Sequence, residues 1–385
     1  MNVGIEQIAF ATPEQYIDMA ELAQARGVEP KKYLEGIGQT LMGVPKLSDD
    51  IVSLGANAAQ EILRQEVKEA IRLVILATES GVDQSKAAAI YVHHLLGLNP
   101  KARSVEMKEA CYSGTAALHL AATHVLAHPQ EKALVIASDI ARYGLNTAGE
   151  PTQGAGAVAM LVSADPKILR LNLDSSVRTE DCMDFWRPNY QEEALVNGKL
   201  SLKQYLHMLQ ETWEGYKAAT HLSVDDFAAI CLHIPYTKMG LKGLRRLRQE
   251  GSAQTSDRLE AFFQTSTYYN RLVGNVYTAS LYLSLLSLLE QNETLQGGER
   301  LGFFSYGSGS VAEFFSGTLT PGYEKYLHRP YHETLLAQRE KWSIADYEAN
   351  FTKSLPTAGQ RMELAKPKAG YFQLLRVADH KRYYG

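Results

Sequence analysis

The sequence predicts an α/β protein built in layers. Five short apolar runs have the near-continuous hydrophobicity of strands that are covered on both faces of a sheet. Amphipathic helical patterns lie between these runs, and alternation of strand and helix signals is typical of sheets packed between helices. With 385 residues, of which 45% are hydrophobic, the chain is long enough for one large domain or two ordinary ones.

The predicted elements follow one another without a low-complexity segment or a flexible linker. The apolar runs predict strands at 72–77, 132–137, 155–162, 228–233 and 301–306. The helical patterns lie at 49–66, 84–96, 113–127, 202–219, 255–267 and 277–290. From about residue 320 onward the chain is more polar and richer in Tyr, which predicts peripheral helix and loop.

Turn signals near the middle of the chain indicate a division into two halves. A PTQGAG segment at 151–156 and the Asp165-Pro166 turn favour a boundary there. Each half shows strands and helices that lead to a glycine-rich hairpin. We therefore predict one half over residues 1–165 and a second over residues 166–385.

Composition excludes several classes of protein. A formal charge of −4 and a pI near 6.3 argue against nucleic acid as the main partner. The three cysteines, at 111, 182 and 231, show no CxxC spacing, so neither a zinc site nor a disulfide framework is predicted. The N-terminus does not resemble a signal peptide, and no apolar stretch reaches about 18 residues. We therefore expect the protein to reside in a reducing cytoplasm and to have no membrane-spanning segment.

Cys111 is the first candidate for chemistry. It follows an extended stretch at 104–109 and precedes the small, apolar helical run that starts at Ser113. The amides at the start of a helix favour an anion, so a thiol at this place is expected to lose its proton more easily and to act as a nucleophile. The alternative is a buried, inert cysteine in a tight turn.

Four other polar residues stand where predicted strands end, which is where ligands bind in open α/β sheets. They are Glu79, His233, Asn275 and Ser308. Each also has a structural explanation. Glu79 is then a turn carboxylate and His233 a core histidine. Asn275 is then a helix cap, and Ser308 belongs to a hairpin turn that requires glycine neighbours. A cysteine with a nearby His and Asn is a known nucleophile pattern, although the three need not be close in sequence.

A basic helix is predicted directly after His233. Its cations are Lys238, Lys242, Arg245, Arg246 and Arg248. One interpretation is a solvated helix face. Because the chain is otherwise acidic, the other is an anion-binding surface, which would suit the phosphates of a molecule that carries an acyl group. No GxGxxG followed by a ribose-binding acid and no Walker A motif is present, so dinucleotide or NTP use has no support.

The sequence resembles a known family, the 3-hydroxy-3-methylglutaryl-CoA synthases of the thiolase superfamily, and its length is similar to that of the bacterial members. The matching segments are GIGQ at 36–39, ATES at 77–80, KEACY at 108–112, GEPTQGAGAV at 149–158, DFWRP at 184–188, HIPYTKMG at 233–240, GNVYT at 274–278 and SYGSG at 305–309. Each segment alone is weak, but their combination in this order is specific. Leu232 departs from the family pattern, where an aromatic residue precedes the histidine.

The resemblance implies a thiolase-like, five-layered αβαβα fold made of two similar halves, and a homodimer. It implies that Cys111 is the acetylated nucleophile, that Glu79 is the general acid/base, and that His233 handles the acetoacetyl substrate. Asn275 and Ser308 are expected to contact substrate oxygens. The remaining expected acyl-CoA contacts are Thr152, Ser201, Lys238, Lys242 and, at a variable substrate rim, Glu29.

The implied reaction joins acetyl-CoA, acetoacetyl-CoA and water to give hydroxymethylglutaryl-CoA and CoA, in the mevalonate route to isoprenoids. The acyl-CoAs are substrates, and no metal or other cofactor is expected. One alternative is a ketoacyl-ACP synthase, which decarboxylates its substrate and therefore needs no base such as Glu79. The other is a non-catalytic acyl-CoA-binding protein on a thiolase fold.

Overall fold

The structure is a computed structural model that describes residues 2–385. Its strands are β1 Gly4–Ala11, β2 Gln15–Asp18, β3 Leu41–Val44, β4 Ile71–Ala77, β5 Arg103–Met107, β6 Lys132–Ala141, β7 Gly154–Ser163, β8 Leu169–Thr179, β9 Phe185–Trp186, β10 Leu195–Val196, β11 Ala229–Leu232, β12 Arg300–Gly307, β13 Val311–Leu319, β14 Glu340–Lys341, β15 Met362–Glu363, β16 Leu374–Ala378 and β17 Lys381–Tyr384. Its α-helices are α1 Met19–Ala25, α2 Ile51–Glu61, α3 Gln65–Ala70, α4 Ala88–Leu95, α5 Ser113–Ala127, α6 Gly198–Thr220, α7 Thr237–Leu247, α8 Ala253–Ser266, α9 Tyr268–Val273, α10 Ser280–Gln291, α11 Arg329–Ala337 and α12 Ile344–Phe351.

The main sheet contains the same strand pattern twice. Its order is β11-β12-β13-β8-β1-β7-β6-β4-β5. In the first half β4 is parallel to β6, and β7 is antiparallel to both β6 and β1. In the second half β11 is parallel to β12, and β13 is antiparallel to both β12 and β8. The two halves therefore share one topology, and they meet where β1 pairs with β8.

Three helix layers enclose the two halves of the sheet. Helices α5 and α10 share one core with strands from both halves, so they form the middle layer. Helices α2 and α4 cover the opposite face of the first half, and α6 and α7 cover that of the second. The result is the five-layered αβαβα arrangement of the thiolase fold, as predicted.

Strand β6 shows why the apolar runs of the sequence become buried strands. Ala133, Val135 and Ala137 face the middle helices, while Leu134 and Ile136 face α2. Side chains alternate between the faces of a strand, so a strand that is covered on both sides needs apolar residues at every position. Burial of both faces of the strands therefore produces the continuous hydrophobic runs from which the fold class was predicted.

The predicted strands and helices are confirmed, with three differences. The helix predicted over 49–66 breaks at residues 62–64 into α2 and α3. Strands β1, β8 and β13 of the main sheet were not predicted, and neither were the smaller elements β2, β3, β9, β10, α1 and α9. The tail contains helices α11 and α12, as expected, but also the small sheet β15-β16-β17, so the prediction of helix and loop alone was wrong. These tail strands are short and partly exposed, and their sequence lacks a continuous apolar run.

The boundary between the halves at residue 165 stays a prediction, although β7 ends at Ser163 and β8 begins at Leu169. None of the helices within residues 2–385 has the length and apolar character needed to cross a membrane.

Gly114 allows the middle layer to pack closely. A Cβ atom at this position would lie 2.6 Å from the carbonyl oxygen of Thr278 and 3.2 Å from the ring of Tyr282. We predict that Gly114→Ala lowers the free energy of unfolding by about 1–3 kcal/mol, as overpacking of a core does. Urea unfolding measures the change. Gly198→Ala is the matched control, because no atom lies within 4 Å of its Cβ position at the start of α6. Equal stability of the two variants would contradict this packing argument.

Candidate active site

Glu79 and Cys111 lie at the carboxyl ends of two neighbouring parallel strands. β4 and β5 pair in register up to Ala77 and Met107, so the residues that follow them leave the sheet at the same edge. The Cys111 thiol donates a hydrogen bond to Oε1 of Glu79, with 3.1 Å between Sγ and the oxygen. The structure therefore brings together the predicted nucleophile and the predicted acid/base group.

A buried carboxylate that the sequence analysis missed, Asp139 in β6, holds this segment. Its Oδ1 accepts hydrogen bonds from the hydroxyls of Thr78 and Ser80, at 2.9 and 2.8 Å, and from the amide of Glu79 at 2.9 Å. Its Oδ2 accepts from the hydroxyl and amide of Thr278, at 2.5 and 3.1 Å. The available signal was a lone acid within an otherwise apolar strand, because such a group needs several partners when it is buried.

The Glu79 carboxyl is held with an unusually high pKa. Burial raises its pKa to about 8, and the nearby charge of Asp139 adds to the rise. The hydrogen bond from Cys111 and the guanidinium of Arg187 oppose these effects. Arg187 also donates a hydrogen bond to the carbonyl oxygen of Glu79. A carboxyl with a pKa near neutrality can both accept and release a proton at physiological pH.

The environment of Cys111 contradicts the expectation of an easily ionised thiol. The residue lies two positions before α5, as predicted, but burial raises the pKa of its thiol well above the ordinary value. The charges of Glu79, Asp139 and Asp184 raise this pKa further. Burial and three carboxylates outweigh the helix dipole, whose effect is typically about 0.3–1 kcal/mol. The thiol therefore needs a base when it attacks, and Glu79 is in contact with it.

Ser308 reaches the nucleophile turn because its neighbour has no side chain. A Cβ atom at Gly307 would lie 2.7 Å from the carbonyl oxygen of Glu109 and 2.7 Å from both N and Cβ of Tyr112. In residues 2–385 neither the Cys111 amide nor the Ser308 amide donates a hydrogen bond to another protein group. Both N–H groups are thus available to an oxygen bound beside Cys111.

His233 is a neutral, buried imidazole at the end of β11. Its amide donates to the carbonyl of Phe304 at 2.8 Å, and its own carbonyl accepts from the hydroxyl of Tyr205 at 2.8 Å. The residue is 1% exposed, and burial lowers the pKa of its ring to about 3. Its Nε2 has no hydrogen-bond partner in the described chain. Since β11 is parallel to β12, His233 lies at the same sheet edge as Ser308.

Asn275 is buried in a turn that presses against β7. Its Oδ1 accepts from the amide of Tyr277 at 3.0 Å and from the hydroxyl of Ser280 at 3.2 Å, but the residue is not the expected helix cap, because α10 begins after Ala279. Its Nδ2 has no partner among residues 2–385. A Cβ atom at Gly154 would lie 2.6 Å from the Asn275 amide, so this turn requires a glycine opposite it.

Three aromatic residues that sequence reasoning did not find pack together beside these groups. The ring of Tyr143 lies 6.0 Å from that of Phe185 and 6.1 Å from that of Tyr277. Burial raises the pKa of Tyr143, and the charges of Cys111 and Glu79 act in the same direction. Phe185 and Tyr277 lie within the matching segments DFWRP and GNVYT, which were the available signal for them, whereas nothing in the local sequence distinguishes Tyr143 from a core aromatic.

The other predicted substrate contacts form no hydrogen bond with Glu79 or Cys111 in residues 2–385. Thr152 ends a short helical turn, and its hydroxyl donates to the carbonyl of Gly149 at 2.8 Å. Ser201 is in the first turn of α6, and Glu29 is exposed. Lys238 and Lys242 are on α7, which confirms the predicted basic helix. Their contacts with a substrate stay predictions.

A cavity of about 770 Å³ opens beside the pair and is lined by Glu79, Ala110 and Ser308. Its wall also carries Lys108 and Arg187, together with further acidic and basic side chains. None of Glu29, Thr152, Ser201, Lys238 and Lys242 is on this wall. The structure does not assemble these five residues around this cavity.

The layered fold and this site define a class of protein. A thiol that hydrogen-bonds to a carboxyl of raised pKa, two free amides and a neutral imidazole suit acyl transfer followed by carbon–carbon bond formation. The chain has the fold and the site of a thiolase-type condensing enzyme.

Comparison with known proteins identifies the family. A model of the hydroxymethylglutaryl-coenzyme A synthase N terminal region matches residues 1–167, and a model of the C terminal region matches residues 171–262 and 249–355. The chain is 51% identical over 357 residues to the hydroxymethylglutaryl-CoA synthase of Enterococcus faecalis, which covers 93% of each sequence. The chain belongs to the hydroxymethylglutaryl-CoA synthase family and is an acyl-CoA condensing enzyme.

Solved structures agree with this assignment. A crystal structure of an HMG-CoA synthase complexed with CoA matches with a TM-score of 0.97 and 45% identity, and all of both chains is covered. The structure of MvaS in complex with 3-hydroxy-3-methylglutaryl coenzyme A matches with a TM-score of 0.91 and 38% identity, covering 100% of this chain and 99% of the other.

Proposed function

We propose that this chain condenses acetyl-CoA with acetoacetyl-CoA and water, through an acetyl-Cys111 intermediate, to give hydroxymethylglutaryl-CoA and CoA. The 3.1 Å contact between the Cys111 thiol and the Glu79 carboxyl carries the proposal, because it places a base of raised pKa against the nucleophile. Family membership supports this reaction over that of a ketoacyl-ACP synthase. The intact pair argues against a non-catalytic acyl-CoA-binding protein.

Acetyl transfer begins with proton movement from Cys111 to Glu79. As Sγ attacks the thioester carbon, the carboxylate takes the thiol proton and then gives it to the sulfur of the departing CoA. With a pKa of about 8, roughly a tenth of Glu79 is ionised at pH 7, and its conjugate acid is strong enough to protonate the leaving group. The amides of Cys111 and Ser308 donate to the oxyanion, and loss of one such donor typically costs about 10²- to 10³-fold in rate.

The same carboxylate then serves the carbon chemistry. Glu79 removes a proton from the acetyl methyl group, and the resulting enolate attacks the ketone carbon of acetoacetyl-CoA. The two amides now stabilise the enolate oxygen. The proton on Glu79 passes to the alkoxide that forms. Water finally attacks the thioester, and Glu79 takes one of its protons and passes it to the Cys111 sulfur, which restores the thiol. The carboxyl group that forms releases the other proton to solvent, and the product leaves as a carboxylate.

His233 and Asn275 suit the ketone oxygen of the second substrate. Each is buried and presents a nitrogen without a partner, and an unsatisfied buried polar group is costly unless a ligand completes its hydrogen bonds. Because the pKa of His233 is lowered to about 3, its ring is neutral at physiological pH. We therefore assign to His233 a hydrogen bond to the forming alkoxide, and to Glu79 the transfer of a proton to that alkoxide.

The distribution of charged side chains favours one location for the CoA phosphates over another. The wall of the cavity beside Glu79 mixes both signs, whereas Lys238 and Lys242 form no ion pair within residues 2–385. We propose that α7 binds the phosphates and that Thr152, Ser201 and Glu29 lie along the acyl-CoA. The proposed steps use side chains and backbone amides alone, so we propose that no metal or other cofactor takes part. Activity that is lost on chelation and restored by a metal would contradict that proposal.

We also propose a homodimer in the cytoplasm. Strand β5 is the edge of the sheet, with no further strand outside it in the described chain, and Val105 on this strand is 44% exposed. An edge strand whose backbone groups have no partner strand is a site for pairing with a second copy. Three free cysteines suit a reducing compartment. Sedimentation velocity is expected to give a dimer, with Val105→Lys shifting the population toward monomer; a wild-type monomer would contradict the proposal.

Labelled acetyl-CoA tests the roles of the two central residues. Wild type is expected to acquire one acetyl group per chain, and Cys111→Ser none that survives denaturation. Glu79→Gln is expected to condense at least 10²-fold more slowly, since the variant loses the base that forms the enolate. Mass spectrometry locates the label, and release of free thiol measures condensation. Label on Cys111→Ser, or normal condensation by Glu79→Gln, would contradict the proposal.

Glu106 offers a control for the second variant. It lines the same cavity and is half-buried, yet its Oε2 accepts a hydrogen bond from the amide of Ala88 at 2.7 Å instead of contacting the thiol. Glu106→Gln is expected to retain acetylation and condensation. A comparable loss in both variants would indicate a general effect of cavity charge.

A further inference from the structure

We infer that Glu313 is a positioning residue that fixes the distance between the two amides of the oxyanion site. It does so through Tyr112, the residue that follows the nucleophile. This inference rests on the proposed function, because it concerns the oxygen of an acyl group on Cys111.

The two amides belong to separate segments of the chain. The Cys111 amide follows β5 in the first half, while the Ser308 amide is in the turn between β12 and β13 in the second half. A pair of donors stabilises an oxyanion well when both are held about 2.7–3.1 Å from the oxygen. Some contact must therefore hold the nucleophile turn against the β12-β13 hairpin.

Glu313 supplies such a contact. It lies on β13 directly opposite Ser305 of β12, three residues before Ser308. The hydroxyl of Tyr112 donates to Oε2 of Glu313 at 2.7 Å. Nε2 of His119 lies 3.0 Å from the other carboxyl oxygen of Glu313. One carboxylate thus contacts both the start and the second turn of α5.

A third contact comes from the same face of α5. The hydroxyl of Thr115 donates to that of Ser305 at 2.7 Å and also lies 2.8 Å from the hydroxyl of Tyr282. Residues 112, 115 and 119 follow the i, i+3, i+7 spacing of one helix face. This face of α5 is therefore anchored to the hairpin at three points, and the first of them is adjacent to Cys111.

The negative charge of Glu313 also strengthens its hydrogen bond with Tyr112. Glu313 is 4% exposed. Burial alone would raise the pKa of its carboxyl, but His119 and Tyr112 hold that pKa below the ordinary value. A hydrogen bond to an ionised, buried acceptor is short and strong. Glu313 does not line the cavity beside Glu79, so its effect on the reaction is carried through Tyr112.

The test measures single-turnover acetylation of Cys111 by labelled acetyl-CoA in wild type, Tyr112→Phe, Glu313→Ala and Glu313→Gln. Tyr112→Phe and Glu313→Ala are expected to slow acetylation on the order of tenfold to a hundredfold, since small misplacements of catalytic groups cost up to about 10²-fold. The acetyl-CoA concentration that gives half of the maximal rate is expected to stay within about twofold. Glu313→Gln keeps an acceptor oxygen and is expected to be faster than Glu313→Ala.

A double variant and a distant control separate positioning from stability. If both residues act through one contact, Tyr112→Phe in the Glu313→Ala background is expected to add little further loss. Tyr269→Phe removes a similar buried bond, 2.6 Å from the tyrosine hydroxyl to Oε2 of Glu290, and is expected to lower stability while acetylation stays normal.

Three outcomes would overturn the inference: normal acetylation by Tyr112→Phe, additive losses in the double variant, or an equal loss in Tyr269→Phe. Because Tyr112→Phe is a minimal change, it keeps the test decisive even if Glu313→Ala does not fold. Absence of label in wild type would instead contradict the proposed function itself. Normal labelling in wild type and in every variant would contradict the positioning role alone.

Discussion

The chemistry of this enzyme depends on a hydrogen bond between two groups that both resist carrying a charge. Burial raises the pKa of the Cys111 thiol and of the Glu79 carboxyl; the charge of Glu79 adds to the rise at Cys111, whereas the hydrogen bond from Cys111 partly offsets the rise at Glu79. The raised pKa makes the Glu79 carboxylate a stronger base than an ordinary glutamate, and it contacts the thiol from which it must take a proton. The same carboxyl can then take protons from the acetyl methyl group and from water. A single base of near-neutral pKa thus serves every proton transfer in the proposed sequence.

The duplicated topology divides the work between two halves. The first half supplies the nucleophile and its base, because the ends of β4 and β5 are adjacent and Asp139 holds Glu79 from β6. The second half supplies the Ser308 amide and the unpaired nitrogens of His233 and Asn275, together with the charges of Asp184 and Arg187. The middle helices join the halves, so the geometry of the site depends on how α5 packs against the hairpin of the second half.

Sequence reasoning found what local patterns determine. Continuous apolar runs predicted the strands, and polar residues at strand ends gave Glu79 and His233. It failed where tertiary neighbours decide. The thiol pKa was expected to fall from the helix dipole, but burial, reinforced by Glu79 and Asp139, which are both distant in sequence, raises it instead. Asp139 was missed because its four partner residues converge only after folding. The basic helix was predicted correctly, yet its ligand is not determined by the pattern of charges.

Direct titration of the Glu79 carboxyl tests the central claim. With 13C at the side-chain carboxyl of glutamate, the Glu79 signal can be assigned by its loss in Glu79→Gln and followed with pH in the unacylated enzyme. A midpoint near 8 is predicted, because burial and Asp139 both penalise the charged form. A midpoint near the ordinary value of about 4.3 would show a carboxylate that is ionised throughout the physiological range. That result would contradict the account of Glu79 as the shared acid and base.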